Sequence, residues 1–127
     1  MRTDDVLLVD IIECAESASR YLQGVTREQF LANEMLRDAV LMRLVVIGES
    51  AKKISDSLKG RNPSVPWSKT AALRNLAVHD YFGVDWPLVW SAATDHLPPI
   101  HSRSIQILKD EFPEAHQRFG NKDRSSS

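Results

Sequence analysis

Arg74, His79 and Tyr81 stand in R-x4-H-x-Y order within the run Arg74-Asn75-Leu76-Ala77-Val78-His79-Asp80-Tyr81. These are side chains suited to phosphate chemistry. An arginine guanidinium is a permanent planar cation that matches phosphate oxygens, and histidine has an ordinary pKa that lets it give or take a proton near neutrality. A tyrosine hydroxyl can donate a hydrogen bond or accept a covalent group, and the ring can stack.

Their spacing does not fit one uninterrupted helix. With Arg74 at zero and 100° per residue, Tyr81 falls at about 340° and His79 at about 140°, so an ideal helix turns the histidine away from the other two. Leu73, Leu76 and Ala77 mark the buried sector, and a continued helix would carry Asp80 into its middle. An unpaired buried carboxylate is costly. The pattern therefore predicts that the helix frays or turns near His79, consistent with the following Tyr81-Phe82-Gly83, and that the site is built at a helix end.

The elements that must position this site are helical. A chain of 127 residues is the size of one domain that can bury a core without disulfides. Thr3 is the expected N-cap of a first helix, with Asp4 and Asp5 in its first turn and Leu7, Leu8, Ile11, Ile12, Ala15, Ala18 and Leu22 at helical spacing up to Gly24. Thr26-Arg27-Glu28-Gln29 has capping-box form. Asn33 then opens a long helix carrying Leu36, Val40, Leu44, Ile47, Ala51, Ile54 and Leu58, expected to end at Gly60.

Arg61 to Pro66 reads as a loop, and a helix resumes at Trp67 and carries the motif. Asp85 caps the next helix, with Trp86 and Pro87 in its first turn, and Leu97-Pro98-Pro99 is expected to break or kink it. A last helical stretch runs from about Ile100 to Phe112. The reading is an all-α antiparallel bundle of four to five helices over residues 1–113, followed over 114–127 by a polar tail that is partly disordered. Val40, Leu41, Met42, Leu44, Val45, Val46 and Ile47 nearly encircle the long helix, which places it centrally or turns a second face to another subunit, so a homodimer is expected.

Composition narrows the function classes. The net charge is −1, so any nucleic-acid contact must be local. No apolar run approaches a membrane span, and Met1-Arg2-Thr3-Asp4-Asp5 lacks the basic-then-apolar character of a secretion signal, so a cytoplasmic location is expected. Cys14 lies in an apolar helical pattern and reads as a small buried hydrophobe. His96 and His101 are too far apart for ligation across one helical turn, with Pro98 and Pro99 between them, so no metal site is assigned. Trp67, Trp86 and Trp90 read as core or interface residues, and Glu49 is an outlier that either pairs with a basic residue near the site or faces solvent.

Four segments, in order along the chain, resemble the HepT-like family of minimal HEPN-domain toxins. They are Ile47-Gly48-Glu49-Ser50-Ala51-Lys52-Lys53-Ile54, Val65-Pro66-Trp67, Arg74 to Tyr81, and Val84-Asp85-Trp86 through Val89-Trp90 to Leu97-Pro98. The resemblance covers roughly Asp4 to Leu108. It implies a HEPN-like helical fold, usually dimeric, acting as a metal-independent endoribonuclease whose two motif copies face one another across a cleft. It also implies the toxin role of a type VII toxin–antitoxin system, in which a minimal nucleotidyltransferase antitoxin silences the toxin by AMP transfer to the motif tyrosine, here Tyr81. No cofactor is implied.

Elementary chemistry agrees with these roles. Cleaving RNA without a metal requires moving the proton of a ribose 2′-hydroxyl and stabilising charge on the phosphate, which is work for His79 as general base or acid and for Arg74 as phosphate clamp. Tyr81 either positions substrate or stacks on a base, besides serving as the modified residue. Asn75, four residues before His79, either orients the imidazole or is an exposed surface asparagine, and Asp80 is a further supporting candidate. The competing expectation is a non-catalytic helical module that binds a nucleotidyltransferase partner.

Overall fold

A computed structural model describes residues 2–126, with side chains described through residue 121. All regular structure among the described residues is helical. Helix α1 (Asp4–Tyr21) buries Leu7, Leu8, Ile11, Ile12, Cys14, Ala15 and Ala18, and the acids of its first turn complement the helix dipole. Thr3 occupies the N-cap position with extended backbone. Its hydroxyl bonds the Asp5 carboxylate, however, and not a first-turn amide. Thr26 and Gln29 form the expected capping box at the start of α2 (Arg27–Ala32), and the Asn33 side chain accepts from the Leu36 amide to open α3 (Glu34–Lys53).

The long helix stops earlier than Gly60. The Ser55 amide and hydroxyl donate to the two carboxylate oxygens of Asp4, at 2.9 and 2.6 Å, while the same hydroxyl accepts from the Leu58 amide. Ser55 thereby leaves α3 and caps α4 (Asp56–Arg61). A serine whose hydrogen bonds are met outside the helical ladder favours a cap over a helix interior. The contact also fixes direction: the start of α1 meets the end of α3, and the Tyr21 hydroxyl at the far end of α1 receives a bond from Arg43, so the two helices run antiparallel.

Helix α5 (Trp67–Ala71) follows the proline loop, and α6 (Trp86–Ser91) starts on the Asp85 cap with Pro87 in its first turn. The proline pair after it does not break the chain. Residues Ala92–His96 widen into a π-helical turn that runs directly into α7 (Leu97–Glu111), with Pro98 in its first turn. Consecutive prolines lack two ladder donors and crowd the carbonyls four residues earlier, and a widened turn relieves both problems without ending the helix.

Helix α1 packs on both α3 and α7, and Val40, Leu44, Ile47 and Ala51 of α3 are fully buried. Trp67 is buried, whereas Trp86 and Trp90 are half-buried against the core. The stretch read as a polar tail forms α8 (Pro113–Ser126), whose Ala115 joins the core and whose Phe119 packs against it. Ser127 lies outside the described residues.

One part-buried polar pair links α5 to the π turn. Thr70, with 0% of its surface exposed, donates to the Pro66 carbonyl at 2.8 Å and lies 3.2 Å from Nε2 of His96 on the π turn. Burial lowers the His96 pKa below its ordinary value of 6.5, and the nearby Lys69 charge lowers it further. The unfolded chain therefore binds the proton first, and stability is lost as pH falls below about 6.5 toward the depressed folded value. Thermal melts from pH 7.5 to 5 should show a larger acid-side drop in Tm for the wild type than for His96→Gln. Superimposable profiles would refute the assignment.

Candidate functional site

The motif helix ends before the histidine. Helix α5 tightens into a 3-10 turn over Ala72–Leu76, and Ala77 takes extended backbone angles, so the chain leaves helical geometry three residues earlier than expected at His79. Leu73 is buried and Leu76 is half-buried as predicted, but Ala77 is exposed. Asn75 and His79 are consequently not neighbours on a helical face, and Asn75 is exposed. His79 stands exposed in the connecting segment. Asp80 caps a second 3-10 turn, Tyr81–Gly83, by accepting from the Phe82 amide at 3.0 Å.

Both ends of the motif are tied to α3. The Arg74 Nε lies 3.1 Å from Glu49 Oε1, with the two side chains 39% and 40% exposed. A pair so open to solvent is worth at most about 1 kcal/mol, so it orients the guanidinium without anchoring the turn. The anchor is backbone packing at Gly48. A Cβ built on Gly48 would stand 2.5 Å from the Arg74 amide nitrogen and 2.9 Å from the Ala71 carbonyl oxygen. Only hydrogen fits there.

At the other end, the Tyr81 hydroxyl donates to Asp38 Oδ1 at 2.8 Å. The Asp38 carboxylate stabilises the protonated phenol and raises the Tyr81 pKa above its ordinary value, and Arg37 acts in the opposite direction without reversing the shift. The Tyr81 ring lies edge-on to Trp86 at 5.8 Å and to Phe82 at 5.5 Å, while the Arg37 guanidinium stacks over Trp86 at 4.8 Å.

Asp38 and Glu49 are eleven residues apart on one helix. That spacing separates them by roughly 16 Å along the axis but only about 20° around it. The motif thus lies as a strap along one side of α3, with Arg74 tied at one end, Tyr81 at the other and His79 exposed between the two tied residues. Asp38, Arg37 and Gly48 belong to the arrangement although motif spacing did not single them out. Two carboxylates three turns apart on one helical stripe, the second preceded by glycine, were the available signal. His96 and His101 have separate partners, Thr70 and Glu16 respectively.

An all-helical domain with an Arg–His–Tyr strap along its long central helix, the histidine exposed and the other two half-buried, is the class this geometry defines. The chain belongs to the HepT-like family, described as ribonuclease HepT-like, whose profile matches residues 11–107. A relative from Methanocaldococcus jannaschii named "Putative RNase" is 34% identical over 101 residues, covering 80% of this chain and 92% of that protein. A "Probable ribonuclease HepT" from Thermococcus cleftensis is 30% identical over 102 residues, covering 80% and 93%. A third, named "Putative RNase" in Caldanaerobacter subterraneus, is 27% identical over 111 residues, covering 87% and 99%. No solved structure gives a significant match.

The close approach at Gly48 makes a direct prediction. Gly48→Ala forces α3 and the 3-10 turn apart, and overpacking of this kind should cost roughly 1–3 kcal/mol in denaturant unfolding, despite the better helix propensity of alanine. A stability equal to or above that of the wild type would show that the two backbones are not in contact.

Proposed function

We propose that this chain is an endoribonuclease toxin that cleaves RNA without a metal, with Arg74 clamping the scissile phosphate and His79 moving the proton. The observation that carries this reading is the accessibility of the strap: His79 stands exposed in the segment after the 3-10 turn, and the Arg74 side chain is 39% exposed, so neither packs into the core. Glu49 supports the role of Arg74 by holding the guanidinium ready, and a phosphate displaces a weakly bound, half-exposed carboxylate at small cost. Family membership and the names borne by the relatives point the same way.

Two chains build the working cleft. Acid and base must stand on opposite sides of a scissile bond, and one motif supplies one histidine. Apolar surface around the strap favours pairing: Met42 is 61% exposed, Val78 46% and Phe82 91%. Solvent-facing apolar groups clustered at one site gain from being covered.

Regulation acts on Tyr81. A minimal nucleotidyltransferase antitoxin of a type VII toxin–antitoxin pair transfers AMP to its hydroxyl, adding negative phosphate and a bulky nucleotide where RNA must enter. The exposed location suits a chain with no helix, among the described residues, long and apolar enough to cross a membrane: substrate RNA and partner meet the same open surface.

Purified wild type should degrade RNA in chelator-containing buffer, and Arg74→Ala and His79→Ala should each lose about 100-fold or more of that rate. Equal cleavage by all three proteins would overturn the nuclease assignment. Mixed dimers of wild type and His79→Ala should show less than full activity per wild-type subunit, since unimpaired activity would exclude a shared cleft.

A further inference from the structure

Tyr81, like Arg74, is held by a carboxylate of α3, but here the residue preceding that carboxylate is an arginine. Asp38 accepts the hydroxyl hydrogen bond at 2.8 Å. Arg37, one position earlier on α3, is immobilised by two contacts that use little of its charge. Its guanidinium stacks on Trp86 at 4.8 Å, and one terminal nitrogen donates to the Leu31 carbonyl at 3.0 Å. Among the described residues no carboxylate forms an ion pair with it, and its buried Nε has no hydrogen-bond partner. Trp86 joins the two features, since its ring contacts both Arg37 and the ring of Tyr81.

A structural hydrogen bond from tyrosine to α3 requires only an acceptor, which an amide or hydroxyl would supply. A carboxylate beside a fixed, unpaired guanidinium supplies more. The carboxylate can take a proton, and the guanidinium offsets the repulsion that an isolated carboxylate would exert on an approaching polyphosphate.

We infer that Arg37 and Asp38 form the acceptor half of a nucleotidyl-transfer site around Tyr81, with Asp38 as the base for the hydroxyl and Arg37 as the holder of the transferred phosphate. This rests on the proposal above that Tyr81 receives AMP. In the step, the Tyr81 oxygen attacks the α-phosphorus of a nucleoside triphosphate carried by the partner enzyme, and a new P–O bond forms. The bond from that phosphorus to the bridging oxygen breaks, and pyrophosphate leaves with its electron pair. The hydroxyl proton passes to the Asp38 carboxylate and from there to solvent. The product is a phosphodiester bearing one negative charge beside the Arg37 guanidinium, so the modified state is electrostatically favoured where the unmodified tyrosine stood.

The acceptor chain thereby contributes chemistry to its own silencing. A tyrosine elsewhere on the surface, lacking such a pair, is a poorer acceptor. Tyr21 provides the internal comparison, because its hydroxyl receives a hydrogen bond from Arg43, and the described contacts give it no carboxylate to take its proton.

The test follows AMP incorporation by intact mass and peptide mapping, using this purified chain, a minimal nucleotidyltransferase of the proposed antitoxin class, and ATP. Asp38→Asn keeps an oxygen acceptor of the same shape but removes the basic group. The turnover rate of modification at Tyr81 should fall about 100-fold, with KM for the chain changed less than about twofold, and Asp38→Glu should recover part of the rate. Arg37→Gln should reduce the rate about tenfold. Wild-type rates in Asp38→Asn would overturn the role of Asp38, and wild-type rates in Arg37→Gln would overturn that of Arg37. If the wild type itself gains no AMP on Tyr81, the silencing proposal fails, and this inference fails with it.

Discussion

The contact on which the site depends is the one that Gly48 permits, where the backbone of α3 lies directly against the backbone of the turn carrying Arg74. A Cβ at this position would overlap the Arg74 amide, so the contact has almost no freedom to slide. Tight packing of backbone on backbone transmits position far better than a solvent-exposed ion pair, whose geometry thermal motion and salt readily loosen. Glu49 therefore inherits its place beside Arg74 from the residue before it.

From that contact the rest of the strap follows. The 3-10 turn ends at Leu76 because the chain must run along α3 to reach Asp38, and a continuing helix would carry it away. Ala77 extends, Asp80 closes a new turn on the Phe82 amide, and Tyr81 reaches the second anchor. His79 is left exposed by the same route. Its neighbours Val78 and Phe82 are left exposed as well, which is why the apolar surface lies around the reactive one.

Much of this was legible in the chain. The capping residues Thr26, Asn33 and Asp85 open their helices as their types predict, because a side-chain oxygen three residues before a free amide is a local relationship. The breaks were less legible. Ser55 ends α3 through Asp4, fifty-one residues away, and nothing in the local pattern marks that partner. The proline pair after Leu97 was expected to break or kink its helix; the helix does not break, and a π turn absorbs the pair, since burial of Leu97 and Ile100 against the core favours keeping the chain helical. The polar residues after Phe112 continue as helix because Ala115 and Phe119 find apolar neighbours.

The amino-acid sequence by itself determined the all-α class, the caps at Thr26, Asn33 and Asp85 and the family, and it singled out Arg74, His79 and Tyr81 as candidates, because these depend on local hydrogen bonding, periodicity and residue chemistry. It also showed that one helix cannot gather the three. Only the tertiary structure decided how the conflict is resolved, by laying the motif along α3 between Glu49 and Asp38. Those two carboxylates are ordinary surface acids when read along the chain. They acquire their roles from what folding brings opposite them, a guanidinium at one end and a phenol hydroxyl at the other.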